Sequence, residues 1–143
     1  MSDAPRLTFR RTQRLSGRGS FKLVLEGRAR LDGPQIAVHA RPNGGTLHRL
    51  GLSVGRKVGS AAARNRIKRL LREAFRLDQQ ALPNDAPAPY DFVIVVRPHE
   101  PLSLGEYRSV LAAAVRHLHS TWTKRHQRQT SRPTDTRAQQ PDC

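Results

Sequence analysis

The spacing of apolar positions changes several times along the chain, and each change marks an element. Residues 1–14 are polar and basic (Arg6, Arg10, Arg11, Arg14), an extended arm tethered by Leu7 and Phe9. Ser16 can cap a short helix that runs to about Glu26, with Phe21, Val24 and Leu25 on one side and Gly27 as its stop. After Asp32-Gly33-Pro34 the pattern alternates, setting Ile36, Val38 and Ala40 against Ala37, His39 and Arg41. A turn cluster, Pro42-Asn43-Gly44-Gly45, follows, and alternation resumes with Leu50, Leu52 and Val54 against Gly51, Ser53 and Gly55. Two alternating runs around a Gly-rich turn predict an antiparallel hairpin with one buried face. Its other face is small and polar, which lets a backbone or a nucleotide chain approach closely.

From Ile67 the period becomes helical. Ile67, Leu70, Leu71, Ala74 and Phe75 fall at i, i+3, i+4, i+7 and i+8, an apolar stripe that must pack on something. Ser60 is the expected cap, three alanines follow, and the helix ends near Asp78. Three prolines then make residues 79–89 a loop. Tyr90 to Arg97 is nearly continuous apolar, the pattern of a central strand covered on both faces. Ser103-Leu104-Gly105-Glu106 is a capping box opening a last helix, whose stripe of Tyr107, Val110, Leu111, Ala114 and Leu118 ends near Trp122. Residues 123–143 hold no large aliphatic side chain and are expected to be a disordered basic tail. The order α-β-β-α-β-α predicts one α+β domain over residues 15–122, between a basic arm at 1–14 and the tail.

Charge sharpens this picture. The chain of 143 residues carries a net charge of +15. Between Arg56 and Arg76 alone there are eight Lys/Arg and a single acid, Glu73. An ordinary solvated helix mixes signs and gains from pairs four apart. This one repels itself until an anion arrives, so a polyanion is the expected partner. Arginine outnumbers lysine 22 to 4, a ratio that genome composition explains as readily as function. No apolar run approaches the ~20 residues of a spanning helix, and Met-Ser-Asp-Ala-Pro-Arg lacks the apolar segment of a secretory signal. The single cysteine, Cys143, leaves no internal disulfide partner, so a cytoplasmic protein with no membrane role is expected.

Candidate chemistry within the chain is sparse. Eleven acids are scattered, with no Asp-x-Asp or His-x-x-Glu pattern to bring carboxylates onto metal ions ~3.5–4 Å apart. Asp85 and Asp91 lie close together, in and beside a Pro-rich loop where solvation is the ordinary reading. His117 and His119 lie two apart on a helix and point in different directions, so they form no ligand pair. No phosphate-binding Gly-rich loop with a terminal Lys-Ser/Thr occurs. The residues therefore predict a binder with neither a catalytic group nor a metal site of its own.

The run from Leu50 through Val54-Gly55-Arg56-Lys57-Val58-Gly59-Ser60 and Arg64-Asn65-Arg66-Ile67-Lys68-Arg69 to Phe75 resembles the signature of the bacterial ribonuclease P protein subunit. The resemblance covers roughly residues 7–121. It implies an α-β sandwich with an unusual left-handed β-α-β crossover, where general base rates favour the right-handed one. It also implies 5′-end maturation of precursor tRNA by a catalytic RNA subunit with bound Mg²⁺, held mainly by the RNA. By resemblance, Arg56, Lys57, Arg64, Asn65, Arg66, Lys68, Arg69 and Arg72 contact the catalytic RNA and the substrate. A cleft between sheet and first helix takes the single-stranded 5′ leader on Phe21, His39 and Ser53. Leu25 and His39 stand where such clefts present more aromatics, so leader affinity leans on charge. Stacking on His39 would then respond to pH. The alternatives on residues alone are a ribosome-associated or architectural RNA-binding protein, a sequence-specific DNA binder and a self-sufficient nuclease. Against the DNA binder, a hairpin rather than a tight helix-turn-helix precedes the basic helix.

Overall fold

A computed structural model of the chain describes residues 13–15 and 18–131. The elements are α1 (Arg18–Glu26), β1 (Arg30–Asp32), β2 (Ile36–Pro42), β3 (Arg49–Val54), α2 (Ala61–Leu77), β4 (Tyr90–Val96) and α3 (Leu104–Ser131). The arm up to Thr12, the Ser16 cap and residues 132–143 lie outside the described residues.

The four strands form one mixed sheet in the order β1-β2-β4-β3. The continuously apolar β4 occupies the centre, antiparallel to β2 and parallel to β3, with α2 connecting β3 to it. Such a strand needs a neighbour on each side and cover on each face, and it inserts itself between the two alternating runs. The expected pairing of residues 36–41 with 50–55 as a hairpin is therefore wrong. The hairpin that does form joins β1 to β2, pairing Arg30 with His39 and Asp32 with Ala37 around Gly33-Pro34. The Pro42–Gly45 turn exists but leads away from β2. Asn43 holds it, its Oδ1 accepting from Gly45 N at 2.8 Å while its Nδ2 donates to Leu47 O and to Asp91.

The main core lies on the face that carries Ile36, Val38, Ala40, Leu50, Phe92 and Ile94. There α2 contributes Ile67, Leu71, Ala74 and Phe75, and α3 contributes Tyr107, Leu111, Ala114 and Leu118. The helical stripes read from the sequence are thus the faces that pack. The opposite face carries a smaller cluster in which Leu15 and Val24 cover Val93, with Phe21 and Val95 at its border. Residues 14 and 15 run along the outer edge of β3, Arg14 bridging Leu50 and Leu15 N donating to Leu50 O at 2.9 Å.

Two local predictions are realised in their hydrogen bonds. Ser60 Oγ accepts from Ala63 N at 3.1 Å and starts α2. Ser103 Oγ accepts from Glu106 N while Glu106 Oε1 accepts from Ser103 N, the reciprocal pair that starts α3. The end of α3 differs from expectation. Instead of stopping near Trp122, the helix continues to Ser131, so the first nine residues of the predicted tail are helical. Tertiary contacts hold the added turns. Trp122 Nε1 donates to Ala40 O at 2.9 Å, and Arg125 Nη1 donates to Gly27 O at 2.8 Å.

Candidate nucleic-acid interface

On α2 the apolar stripe faces the sheet and α3, which leaves the charged positions outward. Arg56, Lys57, Asn65, Arg66 and Arg69 are exposed, while Arg64, Lys68 and Arg72 are partly covered. Among the described residues, none of the seven cations in this set is ion-paired to a carboxylate. Arg64 Nε donates to Gly59 O at 3.2 Å, folding the side chain back over the turn before the helix. Arg66 and Arg69 flank a shallow hollow with Leu70 as its floor. Arg72 is pushed down in pKa by partial burial and by the neighbouring charge of Arg14. Arg14 therefore belongs to this face, although the sequence pattern assigns it to the arm. The bridge of residue 14 to Leu50 brings it there, and no local pattern announces that pairing.

The acids do their work elsewhere. Asp91 accepts from Arg49 Nε and Nη2 at 2.7 and 2.6 Å and from Asn43 Nδ2 at 2.9 Å. Asp32 pairs with Arg30 and Arg97, and Asp78 with Arg108. Glu73 pairs with Arg76, whose hydrogen bond holds its carboxyl below the usual range. Asp85 accepts from His119 Nε2 at 3.1 Å, and Tyr90 Oη donates to His119 Nδ1 at 2.6 Å. This relay ties the Pro-rich loop to α3 through a fully buried tyrosine whose own pKa is raised by burial. His117 and His119 are not used together. Among the described residues no group of three His, Cys, Asp or Glu converges on a possible ion, so these side chains do not fit a metal cage.

On the opposite face, the cleft anticipated between α1 and the sheet is narrower than expected. Phe21 lies over Gly51 so closely that a Cβ there would come within 2.7 Å of its ring, and Leu15 closes the same end. Ser53 is exposed, Phe21 and Val95 are half-buried, and Leu25 is 41% exposed at the border of α1. Ser53 and Val95 are register partners near the C-terminal ends of β3 and β4, beside Phe21, whereas Leu25 lies toward the Gly27 end of α1 and is not brought to them. His39 is not part of this surface. The structure buries it to 7% exposure beside Val93, with its Nδ1 lacking a hydrogen-bond partner among the described residues. Burial, then the charge of Arg30, lowers its pKa and keeps the ring neutral. The expectation that His39 stacks on the leader and responds to pH is corrected accordingly, because α1 packs down on that part of the sheet.

Fold and surface together define a small α+β nucleic-acid-binding protein, with one helix presenting unneutralised cations beside a strand-lined surface. A family model described as Ribonuclease P matches residues 9–121, and the chain belongs to this family. It is 46% identical over 93 residues to the ribonuclease P protein component of Pasteurella multocida, covering 64% of this chain and 74% of that protein. The Photorhabdus laumondii component is 43% identical over the same coverage. The solved ribonuclease P protein of Thermotoga maritima aligns with a TM-score of 0.62 at 31% identity, over 72% of this chain and 96% of that one. A Staphylococcus aureus structure at 24% identity and a TM-score of 0.63, over 73% of this chain and 93% of that one, shares the fold. The chain is therefore the protein component of a ribonucleoprotein enzyme of tRNA processing, and its partner is that enzyme's RNA subunit.

Proposed function

We propose that the turn carrying Arg56 and Lys57 and the outward face of α2, with Arg64, Asn65, Arg66, Lys68, Arg69 and Arg72, grip the phosphates of the catalytic RNA and of precursor tRNA near the cut. The surface formed by Phe21, Ser53 and Val95 receives the single-stranded 5′ leader. One observation carries this reading. Five cations on α2 and two in the turn before it have no carboxylate partner among the described residues, while Asp32, Glu73, Asp78 and Asp91 are paired to other arginines. Self-repulsion of that kind is relieved when phosphate replaces condensed counterions, which also makes the affinity fall steeply with salt.

The reaction assigned to the assembly is endonucleolytic removal of the leader, leaving a 5′-phosphate on the tRNA. Mg²⁺ is proposed to be held mainly by the RNA subunit. This chain's residues bind and orient: α2 positions the two RNAs, and the Phe21 surface distinguishes precursor from mature tRNA because only the precursor has a leader. The cytoplasm is the proposed compartment. In the described residues no helix is long and apolar enough to cross a membrane.

The test is a triple variant, Arg64→Ala, Lys68→Ala and Arg72→Ala, assembled with the RNA subunit. Precursor processing at physiological Mg²⁺ is expected to slow, and the salt slope of association to flatten by about 1 for each phosphate no longer neutralised. Circular dichroism is expected to match the parent. Unchanged kinetics and slope in a folded variant would remove α2 from the interface.

A further inference from the structure

The family match ends at residue 121, but α3 continues to Ser131. Those added turns reach across to the C-terminal end of α1. Arg125 stacks over the Trp122 ring at 4.6 Å and donates to Gly27 O and Arg28 O at 2.8 and 3.3 Å. A cation on the free carbonyls at a helix end is a structural capping device. It accounts for Arg125 and for nothing else nearby.

Around that junction stand further cations the capping does not need. Arg28 and Arg41 are exposed, and neither is ion-paired among the described residues. Arg41 belongs to the same corner, since a Cβ on Gly27 would lie 3.8 Å from Arg41 Cβ and 3.4 Å from the Trp122 ring. The nearest acid in sequence, Glu26, sits 4.0 Å from Lys22, and α3 holds no acid from Tyr107 to Ser131. The corner is remote from the start of α2. Arg41 is in register with Asp91 and so with Arg49, where β3 begins, whereas Arg56 follows the strand's other end. Six residues of strand separate those ends by about 17 Å.

We propose that Arg28 and Arg41 form a second phosphate-binding corner that contacts the backbone of the catalytic RNA, with Arg125 and Trp122 as the positioning residues that hold it in place. The inference rests on the ribonucleoprotein reading above and adds a second point of grip. Arg41 on β2 lies two strands across the sheet from β3, and two contacts so separated fix the orientation of the protein on its RNA, which a single charged helix does not.

The experiment uses the full chain carrying Arg28→Glu and Arg41→Glu, titrated with the catalytic RNA across a salt series. The expected result is a log–log salt slope flatter by about 2, with the thermal midpoint and the precursor-to-mature affinity ratio unchanged. A milder pair, Arg28→Gln with Arg41→Gln, flattens it by about 2 and serves if the reversal unfolds the chain. Affinity and slope equal to the parent's would overturn the corner while leaving the α2 reading intact. Loss of binding to phosphatidylglycerol vesicles with RNA binding intact would overturn it in favour of a membrane surface. If the parent itself did not prefer the catalytic RNA to an unrelated RNA of equal length, the ribonucleoprotein reading would fail first.

Discussion

Gly51 shows how much one missing side chain decides. It is buried in β3, and Phe21 occupies the space where a Cβ would go. Gly51→Ala is expected to push the ring off the sheet, with a strain cost of about 1–3 kcal/mol. The thermal midpoint should fall, and precursor and mature tRNA should be less well discriminated by the assembled enzyme. A midpoint shift with full discrimination would show that Phe21 only packs. His48 illustrates a different constraint. Its Nδ1 accepts from Tyr90 N at 3.0 Å and its Nε2–H donates to Pro83 O at 2.8 Å, a pattern that only the neutral ring satisfies. Burial is the main cause lowering its pKa, opposed by the Pro83 hydrogen bond and aided by His119. The folded state then binds fewer protons than the unfolded chain, whose histidines titrate near about 6.5. Stability is complete above that value and falls as pH drops through it toward the lower folded pKa. Thermal midpoints at pH 7.5 and 5.5 should differ, and His48→Gln should shrink the difference. An unaltered difference would place the acid sensitivity elsewhere, His39 being the other histidine whose pKa burial lowers.

At the scale of elements, α2 and α3 show what local pattern conveys. The stripe at Ile67, Leu71, Ala74 and Phe75 is the face that packs, and Ser60 and Ser103 cap as their neighbours predict. Helical periodicity and capping are short-range, so they are readable along the chain. Strand pairing is not. Residues 36–41 and 49–54 carry the alternation of a hairpin, yet the partner of both is β4, some forty residues later than β3. The end of α3 was hidden for a related reason. Beyond Trp122 the polar composition gives no internal cause for a helix, and the turns are stabilised by Ala40 O and by the carbonyls of Gly27 and Arg28. The cationic part of the candidate site was legible because it lies on one helix. The burial of His39 and the placement of Arg14 were not, because each depends on which segment lies over the sheet. Trp122→Ala should therefore cost about 2 kcal/mol, below the range for a fully buried tryptophan, in urea unfolding. It should also speed tryptic cleavage after Lys124 and Arg125. Protease resistance equal to the parent's would mean that Arg125 alone holds the extension.

For the whole molecule, a net charge of +15 without a matching acidic surface means that the isolated chain is electrostatically incomplete. Three acids of the described residues join elements: Asp32 links β1 to Arg97 after β4, Asp78 links α2 to α3, and Asp91 fixes β4 to β3. Five cations on α2 and two in the turn before it have no carboxylate partner among the described residues, and within those residues the protein offers no acid or metal cluster suited to phosphodiester hydrolysis. The most direct measurement is single-turnover cleavage of 5′-labelled precursor tRNA at physiological Mg²⁺ by the protein alone, by the RNA subunit alone and by both. The account predicts no cut with protein alone, slow cutting by the RNA, and faster cutting at the same phosphodiester when the two are mixed. Cleavage by the protein without RNA, or no acceleration on mixing, would contradict it.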